Sequence, residues 1–244
     1  MSLDIVIPTC KKDLDTLEIV IEHAKKYIQN VGRIFVVSDI SYTSNAIHIP
    51  ESAYPFSKYD VAKFIQHHRC HWYYQQLLKL YVYDVIADLS DNVLILDSET
   101  IFYQPVSFID DTGRGLYCTS DEKSAWYYDH MNRFVPDLSK YTEGIDPSYS
   151  GIVHHMVFNK NILKDLFVKV ETAHSKPLWV AFLTTVRQDH IIGGASEYEI
   201  YFCFAFAVHK ELVRLRPLNW GLSDTILESS HKDFLTAHSH LRKR

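Results

Sequence analysis

Glycine and proline are scarce in this chain of 244 residues, 8 of each. Neither G-x-x-x-x-G-K-[ST] nor G-x-G-x-x-G occurs, which disfavours P-loop and Rossmann-type dinucleotide binding. No G-x-S-x-G elbow is present, so a Ser-His-Asp hydrolase is unsupported. Cysteine is sparse too: Cys10, Cys70, Cys118 and Cys203 lie far apart with no C-x-x-C pair. That excludes a zinc knuckle or a disulfide framework and points to a reducing, intracellular setting. Positive charge is in deficit, with a net charge of -5. No global basic field exists to attract nucleic acid or anionic lipid, so an anionic substrate needs a local device such as a metal ion. Long apolar runs are missing; the longest, Ile200 to Val208, is about half of the roughly 20 residues that span a bilayer. No basic stretch followed by an apolar one opens the chain, so no secretory signal is read. The expectation is a soluble, cytoplasmic protein with a solvated tail end at Arg242-Lys243-Arg244.

What the chain has in quantity is aromatic and aliphatic bulk: 16 Tyr, 13 Phe and 47% hydrophobic residues, against 23% charged. This composition argues against disorder and flexible linkers. The length suits one large domain or two tightly joined halves. Asp4-Ile5-Val6-Ile7-Pro8-Thr9 reads as a buried strand stopped by proline. Apolar residues from Leu14 to Tyr27 recur at helical spacing, and Arg33 to Ser38 is a second strand. Strand, helix, strand is the opening of a right-handed βαβ unit. Residues 41–59 read as loop with a short strand around Ile47 to Ile49, and a long helical pattern runs from Val61 or Trp72 to Ile86. Within it Trp72, Gln75, Gln76, Lys79 and Tyr83 share a polar-bearing face. Further strands are read at Leu116–Thr119, Gly151–Phe158 and Glu211–Leu218, with helices at Lys160–Thr172 and Leu178–Thr185. The aromatic group Trp126, Tyr127, Tyr128, Met131 and Phe134 is core or a stacking surface for a sugar ring, and Phe234 to His240 is a short terminal segment.

The stretch that concentrates chemistry is Val93-Leu94-Ile95-Leu96-Asp97-Ser98-Glu99-Thr100. Its apolar start reads as a parallel strand buried on both faces, and α/β folds bind ligands at the ends of such strands. Two carboxylates there need compensation by a metal, a proton or hydrogen bonds. Asp97 and Glu99 therefore read either as holders of Mn²⁺ or Mg²⁺ against a phosphorylated ligand or as caps of the next turn. Of the 14 histidines, His67, His68 and His71 include an i, i+4 pair of the spacing that binds zinc on a helix, but with no acidic partner nearby it reads as surface or packing. His154 and His155 alternate faces of a strand, while His238 and His240 lie where the chain could fold back onto a metal. Glu197 and Glu199 offer a general base, or a helix cap following Ser196.

Six blocks, in order, resemble the GT-A glycosyltransferases, closest to a small family of bacteria and large DNA viruses. They are Asp4–Thr9, Trp72-Tyr73-Tyr74-Gln75-Gln76-Leu77-Leu78-Lys79-Leu80, Leu96–Thr100, Thr119-Ser120-Asp121-Glu122, His154–Phe158 and Ser196–Tyr201. The family's D-x-D motif usually ends in Asp, where this chain has Glu99. The resemblance implies a GT-A α/β fold, with a mixed, mainly parallel sheet flanked by helices in a single domain over residues 1–244. About 1–100 would be the nucleotide-sugar half and about 101–244 the acceptor half. It implies a metal-dependent, inverting glycosyltransferase moving a sugar from a nucleotide-diphosphate sugar to a hydroxyl of a glycan or protein-linked acceptor. Thr9, Ser38, Gln76, Lys79, Asp97 and Ser98 would hold the donor, with Lys79 near the phosphates. Asp97, Glu99 and His238 would hold Mn²⁺ or Mg²⁺, and Asp121 with His154 or His155 would line the sugar and acceptor side. Glu197 resembles the catalytic base, with Glu199 its rival. Two other classes compete. A sugar-1-phosphate nucleotidyltransferase normally carries a glycine-rich loop where this chain has Cys10-Lys11-Lys12-Asp13. The other is a non-catalytic carbohydrate-binding protein of the same fold.

Overall fold

The computed structural model describes residues 2–66, 68–138, 149–189, 193–238 and 241–242. The sequence readings at His67, His240, Lys243 and Arg244 lie outside these described residues. The chain opens with β1 (Leu3–Pro8), α1 (Leu14–Tyr27) and β2 (Val31–Ser38), the βαβ unit that its apolar periodicity predicts. Every residue of β1 is buried, as a run apolar on both faces requires. Asp4 is tolerated at that depth because Arg33 grips both its oxygens and Ser90 adds a backbone N–H at 3.0 Å. Beyond β2 come β3 (Ile47–Pro50), α2 (Lys58–Phe64), α3 (Cys70–Leu80) and the single turn α4 (Val82–Val85), then β4 (Asn92–Leu96). The long helix expected here is thus divided. A capping box between Ser57 and Asp60 starts α2, and extended backbone at Ile65 stops it before α3 begins.

The central sheet has the order β3-β2-β1-β4-β7, where β7 is His155–Asn159. The first four strands run parallel and β7 is antiparallel to β4, giving a mixed, mainly parallel sheet flanked by helices. The chain order moves outward from β1 to β3 and then crosses back to β4, so the sheet has a switch point at β1 and β4. After β4 lie β5 (Thr100–Phe102), β6 (Gly115–Tyr117) and α5 (Ala125–Phe134). After β7 come α6 (Lys160–His174), α7 (Leu178–Thr185) and α8 (Glu197–Val208), followed by β8 (Val213–Leu215), β9 (Trp220–Leu222) and β10 (Phe234–Thr236). Strand β10 lies between β5 and β9, and β6 pairs with β8.

Two features of this frame place candidate site residues. The strand expected from Gly151 begins only at His155, because His154 adopts a left-handed φ of 61° and turns the chain at the strand's entrance. Just before it, a Cβ on Gly151 would sit 2.4 Å from the Phe202 Cβ, so only glycine lets this backbone lie against α8. Helix α8 is buried from Glu197 to Ala205 and packs on α3, α6 and β7. A helix apolar all round belongs in a core, and its two first-turn glutamates enter that core with it.

Helix α5 carries a fully buried histidine, His130, whose Nε2 donates to the Phe182 carbonyl at 3.0 Å. Burial holds its pKa down to about 4 from an ordinary 6.5. The folded state binds this proton less readily than the unfolded chain. The stability that neutral His130 contributes is complete above pH 6.5 and is lost as pH falls from 6.5 towards 4, by up to about 3 kcal/mol. We expect the melting temperature to drop more steeply between pH 7 and pH 4.5 in the natural protein than in His130→Gln, which keeps a donor for Phe182. Parallel pH profiles for the two would contradict this account.

Candidate active site

At the carboxyl end of β4 the chain leaves the sheet at Asp97, whose N–H donates to the His154 carbonyl at 3.1 Å. Helix α3 brings Lys79 to this point from one side and α8 brings Glu197 from another. The Lys79 Nζ lies 2.6 Å from Asp97 Oδ1 and 2.6 Å from Glu197 Oε1. Tyr198 donates its hydroxyl to Asp97 Oδ1 at 2.9 Å, and the Lys79 ammonium sits 4.1 Å from the centre of the Tyr198 ring. Gln76, one turn before Lys79, accepts the Glu197 N–H at 3.0 Å, while its Nε2 has no partner. Burial alone would discharge each group. For Asp97 the desolvation is outweighed by Lys79 and His154, which hold its carboxyl well below the usual range. Lys79 likewise overcomes its burial through the two carboxylates and stays charged. Burial pushes the Glu197 carboxyl up, and Lys79 opposes that only in part. A buried carboxyl with a raised pKa, held against a cation, is suited to take up a proton.

Two residues further on, Glu99 meets the C-terminal segment. The pairing of β10 with β5 continues as the Ala237 N–H donating to the Glu99 carbonyl at 2.8 Å. That register delivers His238, whose Nδ1 is 2.5 Å from Glu99 Oε1. Burial lowers the His238 pKa, but the Glu99 carboxylate more than reverses this and raises it. The His154 ring lies 4.7 Å from that of His238, and its Nδ1 is 3.7 Å from Asp97 Oδ2. Beyond, Arg242 reaches Asp13 at 3.1 Å and Asp15 at 2.5 Å in front of α1, tying the chain's end to its beginning. Among the described residues no three His, Cys, Asp or Glu side chains are grouped as a metal shell. Two carboxylates and two imidazoles nevertheless meet at one strand end, and oxygen with imidazole donors suits Mn²⁺. The donor types fit such an ion, while in this conformation one oxygen of Asp97 is turned to Lys79 and one oxygen of Glu99 to His238.

Two cavities neighbour the cluster. One, of about 600 Å³, lies at the ends of β1 and β2 and along α3. Thr9 lines it with a buried hydroxyl that has no partner, and Asp39, Tyr42, Glu51, Trp72 and Tyr74 complete much of its wall. Helix α3 serves both places: Gln75 and Leu78 line this cavity, and Gln76 and Lys79 enter the cluster. The other cavity, of about 660 Å³, is lined by Asp121, Glu122, Tyr149 and Trp220. Trp220 connects it to the cluster, since its ring is 5.9 Å from that of His154.

The structure thus brings together Gln76, Lys79, Asp97, Glu99, His154, Glu197 and His238, and puts Thr9 and Asp121 on the two cavities. Lys79, expected near donor phosphates, has its ammonium between two carboxylates and only 4% of the residue exposed. Four other residues stand apart. Ser38 is buried with its hydroxyl on the Ile40 carbonyl, and Ser98 is buried with its own carbonyl held by Thr16 at 2.7 Å. His155 points into the core among Phe102, Phe108 and Phe234, because it occupies the opposite side of the strand entrance from His154. Glu199 is saturated by Tyr128 at 2.8 Å, the Ser150 hydroxyl at 2.8 Å and the Gly151 N–H at 2.9 Å. Such a carboxylate is a structural anchor with little acceptor capacity left for a substrate. Tyr198, Asp39, Glu51 and Trp220 were not singled out from the sequence. Asp39 had a usable signal, since it directly follows the last residue of a parallel strand.

Among solved structures, the apo form of mouse xyloside xylosyltransferase 1 resembles this chain at 9% identity and a TM-score of 0.49, with 100% of this chain and 99% of that one covered. No curated protein matches the sequence. The model of a protein family matches residues 1–216, and on that match the chain belongs to the family of unknown function DUF6492.

Proposed function

We propose that this protein is a GT-A glycosyltransferase that moves a sugar from a nucleoside-diphosphate donor to an acceptor hydroxyl with inversion at the anomeric carbon. The observation that carries the reading is the Asp97–Lys79–Glu197 cluster at a parallel strand's carboxyl end, with one roomy cavity along α3 and another at Trp220. The cavity against Thr9 and α3, in the amino-terminal half, takes the nucleoside. The cavity against Asp121 and Trp220, in the carboxyl-terminal half, takes the acceptor. Asp97, Glu99 and His238 hold Mn²⁺ or Mg²⁺, which supplies Lewis-acid stabilisation of the diphosphate when bound. Lys79 keeps Asp97 ionised despite its burial and partly offsets the burial of Glu197. Glu197 receives the acceptor's proton as the hydroxyl attacks, and Lys79 remains neutralised by Asp97 after that transfer.

One observation favours a second reading of Glu197. Its Oε1 is 2.6 Å from Lys79 and the residue is 4% exposed, the arrangement of a structural ion pair. In that reading Glu197 positions Lys79 and does not touch the acceptor.

A thermal-shift screen of nucleotide-sugars tests the donor and metal assignments together. We expect one nucleotide class to raise the melting temperature only when Mn²⁺ is present, and a flat response to all of them would refute the transferase reading. In Asp97→Asn the metal-dependent shift should disappear; its persistence would remove Asp97 from the ion.

The two glutamates separate by kinetics once a donor is known. Glu197→Gln should lower kcat by roughly 10²–10⁴-fold at little change in KM, as loss of a general base does. Glu199→Gln should instead lower stability by about 1–3 kcal/mol by breaking a buried hydrogen-bonded group, with kcat of the folded protein nearly unchanged. A product that retains the donor's anomeric configuration by NMR would rule out the single-displacement role of Glu197.

A further inference from the structure

The cavity at the ends of β1 and β2 has a wall chemistry that a nucleoside diphosphate as such does not require. Cations are expected near phosphates, and Lys11, Lys12, Lys58 and Arg69 line it. Two carboxylates line it as well, Asp39 and Glu51. Asp39 is engaged by the Tyr42 hydroxyl at 2.8 Å. Glu51 is half-buried on the short turn after β3, and among the described residues its carboxylate receives one hydrogen bond, from the Tyr74 hydroxyl at 3.3 Å. An ionised carboxylate only accepts, and it offers about four lone-pair sites. One long hydrogen bond leaves most of that capacity for a ligand. The same residues, Asp39, Glu51, Lys58 and Tyr74, also line an adjoining cavity of about 460 Å³, so the space at Glu51 is wider than one ring. Tyr42, Trp72 and Tyr74 give it aromatic walls against which a flat base can stack.

We propose that Glu51 recognises guanine, which makes the donor a GDP-sugar; this rests on the nucleotide-sugar reading above. Guanine alone among the common bases presents two neighbouring donors, N1–H and the exocyclic N2–H, with no acceptor between them. They match the two oxygens of one carboxylate. Uracil offers a single N–H flanked by two carbonyl oxygens, which a carboxylate repels. Adenine and cytosine place a ring-nitrogen acceptor beside their amino group, so the second carboxylate oxygen would face a lone pair. Tyr74 holds Glu51 through its hydroxyl, and the adjoining cavity supplies the wider space that a purine's two rings need.

Isothermal titration of the full chain in MnCl₂ with GDP, UDP, ADP, CDP and IDP tests this. GDP should bind most tightly, by roughly tenfold to a hundredfold over the other common bases, the discrimination expected of one good bidentate pair. IDP lacks the exocyclic amine and should bind about tenfold more weakly than GDP, since it leaves one carboxylate oxygen unpaired. Glu51→Gln should abolish the preference for GDP; if that variant fails to fold, the GDP-to-IDP ratio on the natural chain decides. UDP, ADP or CDP binding as well as GDP, or IDP equalling GDP, overturns the guanine assignment and leaves the nucleotide reading standing. Binding of none of the five overturns both.

Discussion

Lys79 is the cation on which the candidate site depends. Three elements far apart in the chain meet there: α3 supplies the ammonium, Asp97 directly follows β4, and α8 starts with Glu197. Two carboxylates brought this close in a buried setting repel one another and are each expensive to bury. One ammonium between them offsets that cost, fully at Asp97 and in part at Glu197. The Tyr198 hydroxyl and the Gln76 carbonyl oxygen supply further hydrogen bonds that make such an ion group tolerable. The pairing is also what makes this strand end the candidate site, because it holds the Asp97 carboxyl below its usual range where burial alone would raise it.

The sheet is arranged to deliver that meeting. Its parallel strands point their carboxyl ends one way, so Thr9, Asp39 and Asp97 lie at the same edge. The antiparallel β7 brings His154 to this edge from the opposite direction, with a left-handed residue aiming the ring at Asp97. The small sheet formed by β5, β9 and β10 then carries Trp220 and His238 to the same place. Arg242, bonded to Asp13 and Asp15, holds the chain end near the start of α1. Glu199 contributes differently: by binding Tyr128, Ser150 and Gly151 it fixes the first turn of α8, and with it the position of Glu197.

Two acids two residues apart, Glu197 and Glu199, were equivalent as sequence and are not equivalent in space. A helix turns about 100° per residue, so residues i and i+2 face nearly opposite ways. One carboxylate meets a cation and the other meets four hydrogen-bond donors, the Cys203 thiol among them. His154 and His155 divide in the same manner, one towards the cluster and one among phenylalanines. Sequence reading shows such pairs as candidates and has no means of choosing between them.

What the sequence determined by itself was local and periodic. Apolar runs at Asp4–Thr9 and Val93–Leu96 specified buried parallel strands, helical spacing specified α1 and α6, and the position of Asp97 after an apolar run marked the end of a strand as the candidate place for chemistry. Those features depend on neighbours within a few residues, which the order of residues displays directly. The tertiary structure decided which charges meet. Lys79 and Glu197 are 118 residues apart, and Glu99 and His238 are 139 apart. Their contact depends on sheet order, on the kink at His154 and on the register of β10, none of which has a local signature. Burial then determined the protonation of each group, because desolvation and partner charge exist only once the surrounding chain has closed around it.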